Sequence, residues 1–211
     1  GREVLAGRNG KDLKVRGGLL DLSVVNIVSH VAAWEGALSR MATRLAVSAY
    51  TVLVIIVGGR IVPSFTRNWL NRFGRTDFPV PYNGFDTAAI LTGIAALAVW
   101  TIEPESIVAV PTALLAAFMH AVRLVRWRGW TTWPEQVLVV LHVAYAFIPA
   151  GFITIALAAL DVMDTRSVLH VFTVGVIGCM MVAVMTRASL GHTGRKLTAS
   201  RVTIAAYVAL I

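Results

Sequence analysis

The chain is divided into apolar blocks of helix-spanning length, and short segments that carry arginine separate these blocks. A helix needs about 20 largely apolar residues to cross the hydrocarbon core of a bilayer. Hydrophobic residues make up 57% of the 211 residues and charged residues only 14%, whereas a soluble domain has about 25% charged residues. The sequence therefore predicts a polytopic helical membrane protein in contact with a lipid bilayer, and it argues against a soluble domain.

The fold class that we predict is all-α, a transmembrane helix bundle that forms a single domain over residues 1–211. Seven spans are predicted, the last of them truncated: 17–37, 41–62, 86–102, 107–122, 135–160, 167–186 and 199–211. The first is interrupted by polar residues, among them His30 and Glu35. Pro149 lies inside the fifth, where it removes one backbone hydrogen bond. The chain begins without Met and stops within an apolar run, so we expect it to be a fragment of a longer protein.

Basic residues alternate along the segments between the spans. Arginine and lysine are concentrated before the first span (Arg2, Arg8, Lys11, Lys14, Arg16), after the second (Arg67, Arg72, Arg75), after the fourth (Arg123, Arg126, Arg128) and after the sixth (Arg187, Arg195, Lys196). Only Arg40 and Arg44, after the first span, depart from this alternation. Cytoplasmic loops are rich in Lys and Arg, so these segments are predicted to face the cytoplasm. The same distribution accounts for the net charge of +8 without a nucleic-acid partner.

Four histidines fall within the predicted spans and form two pairs by depth. His30 and His170 lie toward the outer side, and His120 and His142 lie toward the inner side. Ionisable residues inside a bilayer are candidates for function, and imidazole is a common ligand of metals and of haem iron. Histidines on different helices at matching depth could ligate haem or copper, or they could form hydrogen bonds between helices.

Sulfur-containing side chains cluster in the sixth span, where Cys179 is followed by Met180, Met181 and Met185. Thiolate and thioether sulfur suits copper(I). Methionine also fills gaps in helical cores. Both interpretations remain open for Cys179, Met181 and Met185.

Two further segments carry arginine next to glycine or proline. The run GRIVPSFTRN at 59–68 places Arg60 at the end of an apolar helix just before a predicted chain break. Its counter-charge could come from Asp86, from a haem propionate or from a lipid phosphate. In the run MTRASLGHTGR at 185–195, glycines permit tight turns, and Arg187, His192 and Arg195 are predicted to converge in a polar loop that could hold an anion.

These runs resemble the NnrS family of bacterial inner-membrane proteins, which are associated with nitric oxide and denitrification. The resemblance is carried by GRIVPSFTRN at 59–68, LHVAY at 141–145, the stretch from His170 through 195, and GRN at 7–9. It implies a haem- and copper-containing protein of about twelve spans, of which this chain would be the C-terminal half or more, and which helps cells withstand nitrosative stress. The residues carried over are His142, His170, His192, Arg60, Arg67, Arg187 and Arg195.

Three functions follow as hypotheses. The first is a haem and copper protein that acts on nitric oxide or protects against it, with the arginines as candidates for binding propionates. An enzyme that turns over nitric oxide would need an open coordination position and an electron path, and the sequence indicates neither; no catalytic residue is assigned. The second is a transporter, favoured by polar residues within the membrane and by Pro149. The third is a haem-free scaffold or sensor.

Overall fold

The computed structural model describes residues 36–211, with side chains from residue 40. Within that range the chain forms six helices: α1 Gly36–Arg72, α2 Gly84–Ile102, α3 Ala109–Arg126, α4 Gln136–Ala159, α5 Thr165–His192 and α6 Arg201–Leu210. The first five are long and apolar enough to cross a membrane. The all-α prediction is confirmed, with six described helices where seven were expected. The predicted span 17–37, which includes His30, lies outside the described residues except for 36–37, which belong to α1.

Two helices continue well past their predicted ends. The predicted chain break after residue 62 is wrong, because α1 runs through Pro63 to Arg72. Similarly, α5 continues to His192, so the polar loop predicted at 185–195 is helical over most of its length. At 1.5 Å per residue α1 is about 55 Å long, which exceeds a hydrocarbon core of roughly 30 Å. Apolar composition marks the edge of the hydrocarbon, whereas the helix ends where its backbone hydrogen bonds end.

Asn83 and Asp86 cap the start of α2 and orient a carboxylate into the bundle. The Asn83 side-chain oxygen accepts a hydrogen bond from the Phe85 amide at 3.0 Å, and Asp86 Oδ2 accepts one from the Asn83 amide at 3.1 Å. This reciprocal arrangement satisfies amides that have no partner within the helix. It leaves the other oxygen of Asp86 directed at the neighbouring helix.

Helix α4 is the centre of the bundle and packs against α1, α3 and α5. Within its most apolar window, 61% of the residues are buried inside the protein, compared with 39% or less in the other four long helices. The outer helices keep apolar side chains exposed, as expected for surfaces that face lipid. Most side chains in this window of α4 are therefore shielded from both water and lipid.

Helices α4 and α5 each have a glycine that packs against a phenylalanine ring of the other helix. Gly151 on α4 faces Phe172, where a Cβ atom would lie 2.7 Å from the ring, and Gly175 on α5 faces Phe147, where it would lie 2.6 Å from the ring. Small residues let transmembrane helices approach closely. Phe172 and Gly175 lie in the π-helical segment Val171–Gly178 of α5, a helix type that is rare and often found at functional sites.

Three of the four arginine-rich segments meet at one end of the bundle, here called the arginine-rich end. The Val80 amide donates to the Arg126 carbonyl at 3.1 Å, and Arg75 Nη1 donates to the Thr131 carbonyl at 3.3 Å. The guanidinium of Arg187 lies 4.1 Å from the centre of the Phe65 ring. The segments that follow α1, α3 and α5 therefore share one side, as the alternation of charge predicts.

Arg44, one of the two exceptions to that alternation, has a structural role at the opposite end. Its Nε donates to the Thr101 carbonyl at 3.2 Å. Thr101 lies in the last turn of α2, where carbonyls have no partner within the helix and the helix dipole favours a cation. This arginine therefore stabilises a helix end.

Single-cysteine labelling tests the topology, because reactive sites at the two ends should be separated by the membrane. In a background with Cys179 replaced by Ala, we expect Glu103→Cys and Val162→Cys to react with an impermeant maleimide on intact spheroplasts. Thr76→Cys and Thr193→Cys should react only after permeabilisation, since cytoplasmic loops are rich in arginine. If Thr76→Cys and Thr193→Cys react from opposite sides, the topology is wrong.

Candidate functional site

A buried ion pair joins the first turn of α2 to the last turn of α3. Arg123 is 0% exposed and Asp86 is 3% exposed, and Arg123 Nε lies 3.0 Å from Asp86 Oδ1. Arg126 adds a longer contact, with Nη2 at 3.5 Å from Asp86 Oδ2. A charge without a partner is costly in a bilayer interior, so the carboxylate and the guanidinium depend on each other. Asp86 is therefore the partner of Arg123, and the sequence-based suggestion that it balances Arg60 is wrong.

The guanidinium of Arg123 also reaches the two remaining helices of the core. Its Nη1 donates to the Ile55 carbonyl on α1 at 3.1 Å and to the Tyr145 hydroxyl on α4 at 2.8 Å. Gly59 makes room for it, since a Cβ there would lie 2.7 Å from Arg123 Cζ. One side chain from α3 therefore holds α1, α2 and α4 together.

The hydrogen bonds determine which atoms of Arg123, Tyr145 and His120 donate and which accept. Arginine only donates, so the Tyr145 oxygen accepts from Arg123, and the single Tyr145 hydrogen is directed to His120 Nδ1 at 3.0 Å. His120 Nδ1 is thus an acceptor, which places the hydrogen of a neutral ring on Nε2. That atom faces Gly93 on α2 and has no hydrogen-bond partner among the described residues, although the Ala89 backbone is close enough to interact with the ring.

We call Asp86, His120, Arg123 and Tyr145 the buried network. Two of its members, Tyr145 and His120, belong to a row of six rings in which successive ring centres lie between 4.4 and 6.0 Å apart. In order through the core, these are the rings of Trp127, Tyr145, His120, Phe152, Phe172 and Trp100. Close aromatic packing excludes water and lowers the local dielectric, which strengthens hydrogen bonds within the network.

His142 has a different environment on the same face of α4. Its Nδ1 lies 2.9 Å from the Leu138 carbonyl, and because a carbonyl only accepts, Nδ1 carries the hydrogen. The lone pair on Nε2 then points toward the Thr66 hydroxyl at 3.3 Å. Gly129 packs against the ring, where a Cβ would lie 2.7 Å from Cγ. A histidine that ligates a metal commonly donates one ring N–H to a backbone carbonyl and binds the metal through the lone pair of the other nitrogen.

His170 repeats this hydrogen-bonding state at the opposite end of the bundle. Its Nδ1 lies 3.1 Å from the Arg166 carbonyl, so Nε2 again has the lone pair, and the side chain is exposed. Its predicted partner, His30, lies outside the described residues. His192 ends α5 at the arginine-rich end and is exposed.

The predicted inner pair does not share one site. His120 contacts Tyr145 and Phe152, whereas His142 contacts Thr66 and Leu138. In residues 40–211 the structure brings together no cluster of three or more His, Cys, Asp or Glu side chains suited to a metal ion. The described part of the chain therefore offers single histidine ligands, with the Nε2 atoms of His142 and His170 the best prepared.

The predicted sulfur ligands point in different directions. Cys179 is buried, with Sγ 3.9 Å from the Leu210 carbonyl on α6. Met181 and Met185 are 58% and 60% exposed on the outside of α5, and Met180 is buried in the core. The geometry of these residues favours packing against the bundle and lipid.

The four candidate arginines do not share one site. Arg60 and Arg67 line a groove between α1 and α2. Arg187 lies over Phe65 on the other side of the helix, and Arg195 is exposed beyond the end of α5. The predicted convergence of Arg187, His192 and Arg195 in one loop is wrong, because two of them lie on a continuous helix.

Glu135 precedes α4 beside Arg187 and forms a second polar site at the arginine-rich end. The side chain is 8% exposed, and its Oε1 has no hydrogen-bond partner in the described part of the chain. Burial raises the pKa of the Glu135 carboxyl, and the charge of Arg187 works against that shift. The nearest cation therefore offsets only part of the cost of burying this carboxylate.

Arg123 and Thr66 are the important residues that the sequence did not identify. Arg123 was assigned to the segment after the fourth span, yet it lies within α3 and is buried. Thr66 was placed beyond the end of its helix. The sequence did contain a signal for the pairing of Arg123 with Asp86. Consecutive antiparallel helices bring the start of one beside the end of the next, so an acid at the start of α2 and a base at the end of α3 could have been paired.

Comparison with known proteins identifies one family. A family model described as NnrS protein matches residues 1–211. No curated protein and no solved structure matches the chain.

Removing one partner of the buried network should destabilise the protein much more than removing an exposed charge. Asp86→Asn leaves Arg123 without a counter-charge, which costs about 3–5 kcal/mol for a buried pair. Tyr145→Phe removes an acceptor and a donor, for about 1–3 kcal/mol. Asp77→Asn is the matched control, because Asp77 forms a partly exposed pair with Arg75 worth about 0–1 kcal/mol.

The measurement is thermal unfolding of the purified protein in one detergent, followed for wild type and the three variants. We expect Asp77→Asn to unfold at nearly the same temperature as wild type, Tyr145→Phe at a lower temperature, and Asp86→Asn at the lowest. Equal stability of Asp86→Asn and Asp77→Asn would contradict the role given to the ion pair.

Proposed function

The chain belongs to the NnrS family, and on that premise we propose that it is a haem- and copper-binding membrane protein that contributes to the response to nitric oxide. Within that role it would increase resistance to nitrosative stress during denitrification. Family membership associates the chain with nitric oxide, and the hydrogen-bonding state of two histidines supports the metal-binding part of the proposal.

His142 and His170 are the proposed ligands. Each ring gives its Nδ1 hydrogen to the backbone carbonyl four residues earlier, at 2.9 and 3.1 Å. This bond fixes the tautomer and the ring orientation, and it raises the basicity of Nε2. Iron or copper binds the nitrogen that carries the lone pair, so both rings are prepared before a metal arrives.

His142 has the more protected position. The ring is 8% exposed, and the only hydrogen bond at its Nε2 among the described side chains is the 3.3 Å contact with Thr66. The Thr66 hydroxyl can instead keep its hydrogen on the Val62 carbonyl at 3.0 Å. A metal could therefore replace the Thr66 contact at Nε2 without leaving that hydroxyl unsatisfied.

Haem iron, when bound, would supply a coordination position for nitric oxide, and the chain would orient the ligand and exclude water. Tyr145 lies one turn after His142 on α4, and Arg123 holds Tyr145 to three other helices. The buried network is therefore proposed to position His142 and is not proposed to bind the metal. His120 belongs to this positioning group because its Nδ1 accepts the Tyr145 hydrogen bond, which leaves the hydrogen of the neutral ring on Nε2.

Arg60, Arg67, Arg187 and Arg195 are proposed as candidates for haem propionates or other anions. Arg60 and Arg67 are the pair that shares one groove. Guanidinium groups bind carboxylates through charge-assisted hydrogen bonds. All four carry a positive charge, and Arg60, Arg67 and Arg195 are exposed whereas Arg187 is partly buried.

We place the protein in the bacterial inner membrane, with the arginine-rich end in the cytoplasm. Five helices long and apolar enough to span a bilayer support a multi-pass arrangement, and the positive-inside rule supports the orientation. The diffusing partner would be nitric oxide or a related small molecule, which is apolar enough to enter from the lipid.

An absorption spectrum of the full-length protein, purified from membranes, tests the proposal together with copper analysis. A Soret band and stoichiometric copper are expected. A protein that contains neither, when expressed with adequate haem and copper, would instead favour the transporter or the haem-free scaffold.

Histidine variants test the ligand assignment. His142→Ala or His170→Ala should each remove most of the haem or most of the copper, because each loses an Nε2 lone pair. His192→Ala should keep both, since no hydrogen bond from the described part of the chain fixes the tautomer or orientation of the His192 ring. Added imidazole should restore the lost absorbance in His142→Ala if the variant has lost only a ligand. Full retention of haem and copper in both His142→Ala and His170→Ala would contradict the assignment of these histidines as ligands.

A further inference from the structure

A long groove follows the boundary between α1 and α2, with a volume of about 1510 Å³. Leu45, Val52 and Ile56 line it on α1, and Ile90, Leu91 and Ile94 line it on α2. It extends from the end of α2 at Ile102 to Arg67 near the arginine-rich end. The walls are apolar for most of this length, so the groove suits a hydrocarbon chain that lies along the membrane normal.

The polar groups of the groove are concentrated at its arginine-rich end. Arg60, Ser64 and Arg67 are spaced four and three residues apart, so they lie on one face of α1, and all three line the groove and are exposed. Together they offer two guanidinium groups and a hydroxyl. We call Arg60, Ser64 and Arg67 the row. It extends about 10 Å along the helix, which is comparable to the thickness of a headgroup layer.

These cations have no carboxylate partner within residues 40–211. The three ion pairs of the described chain join Asp77 and Asp86 to other arginines. Arg67 instead lies 4.9 Å from the centre of the Phe78 ring. The acid that also lines the groove, Asp86, is already engaged by Arg123 and Arg126. Arg60 and Arg67 are therefore available to an anionic group of another molecule or of the rest of the chain.

The depth of the row matches that of lipid phosphates. Gly59 packs on the guanidinium of Arg123, and Arg123 pairs with Asp86 in the first turn of α2. Arg60 therefore lies level with the start of α2, at the edge of the hydrocarbon, and Arg67 lies two turns further out. Basic pockets between transmembrane helices on the cytoplasmic side bind anionic lipid headgroups.

We propose that the α1–α2 groove is a binding site for an anionic phospholipid, with its phosphate held by Arg60, Ser64 and Arg67 and an acyl chain along Ile56 and Leu91. The arginines would donate to the phosphate oxygens as charge-assisted hydrogen bonds, and the apolar walls would replace contacts with bulk lipid. The lipid site does not require haem or copper, and a lipid phosphate there would compete with haem propionates for Arg60 and Arg67.

The test uses full-length protein in nanodiscs of phosphatidylcholine doped with phosphatidylglycerol. Phosphatidylglycerol retained per protein is measured by native mass spectrometry after mild release. The Arg60→Gln, Arg67→Gln double variant should retain about thirtyfold less than wild type, since each basic residue contributes about 1 kcal/mol to anionic lipid binding and about 1.4 kcal/mol corresponds to a factor of ten. The matched control is Arg195→Gln with Lys196→Gln, which removes the same charge outside the groove and should retain phosphatidylglycerol as wild type does.

A second variant tests the acyl-chain part of the site without changing charge. Leu91→Trp narrows the groove and should also lower phosphatidylglycerol retention, while phosphatidylcholine should show no comparable enrichment in wild type. Wild-type retention after Leu91→Trp would overturn the proposal, as would equal losses in the double variant and its matched control. A third contrary result is no enrichment in wild type, which indicates that another segment or a second copy fills the groove.

The haem content of the same samples separates this site from the proposed function. Loss of haem with unchanged phosphatidylglycerol in the double variant would assign Arg60 and Arg67 to propionates and overturn the lipid site. Loss of phosphatidylglycerol with unchanged haem supports the lipid site. Absence of haem from every sample would contradict the proposed function and leave the lipid result intact.

Discussion

Arg123 places a full positive charge where neither water nor lipid can solvate it, and the arrangement of the core follows from the way that charge is satisfied. Asp86 supplies the counter-charge, and the Ile55 carbonyl and Tyr145 hydroxyl accept the further hydrogen bonds. A buried ion pair need not be more stable than an apolar core of the same shape. Its effect is on specificity, because only one arrangement of α1, α2, α3 and α4 satisfies all of these groups at once.

The direction of the hydrogen bonds distinguishes histidines that residue type alone makes equivalent. His120 accepts from Tyr145, and its other nitrogen faces Gly93 on α2. His142, on the same side of the membrane, donates to its own helix and presents a lone pair. One ring therefore completes a structural network, and the other is prepared for a ligand. The difference depends on which neighbours donate and which accept, and that information exists only in the folded chain.

The sequence predicts the helices better than it predicts their ends, and the ends decide the site. Each of the five long apolar helices overlaps a predicted span, because hydrophobic length is a direct requirement of the bilayer. The predicted end of α1 at residue 62 excluded Thr66 from the bundle, since apolar composition stops before the backbone hydrogen bonds do. Arg123 was misplaced for a related reason. A basic residue near a membrane edge usually points outward, and only its pairing with Asp86 turns it inward.

The reciprocal contacts of Gly151 with Phe172 and of Gly175 with Phe147 have a mechanical consequence. Each phenylalanine ring fits against one glycine of the other helix. Sliding or rotating α4 against α5 would therefore move both rings out of these contacts. These two helices should act as a rigid body.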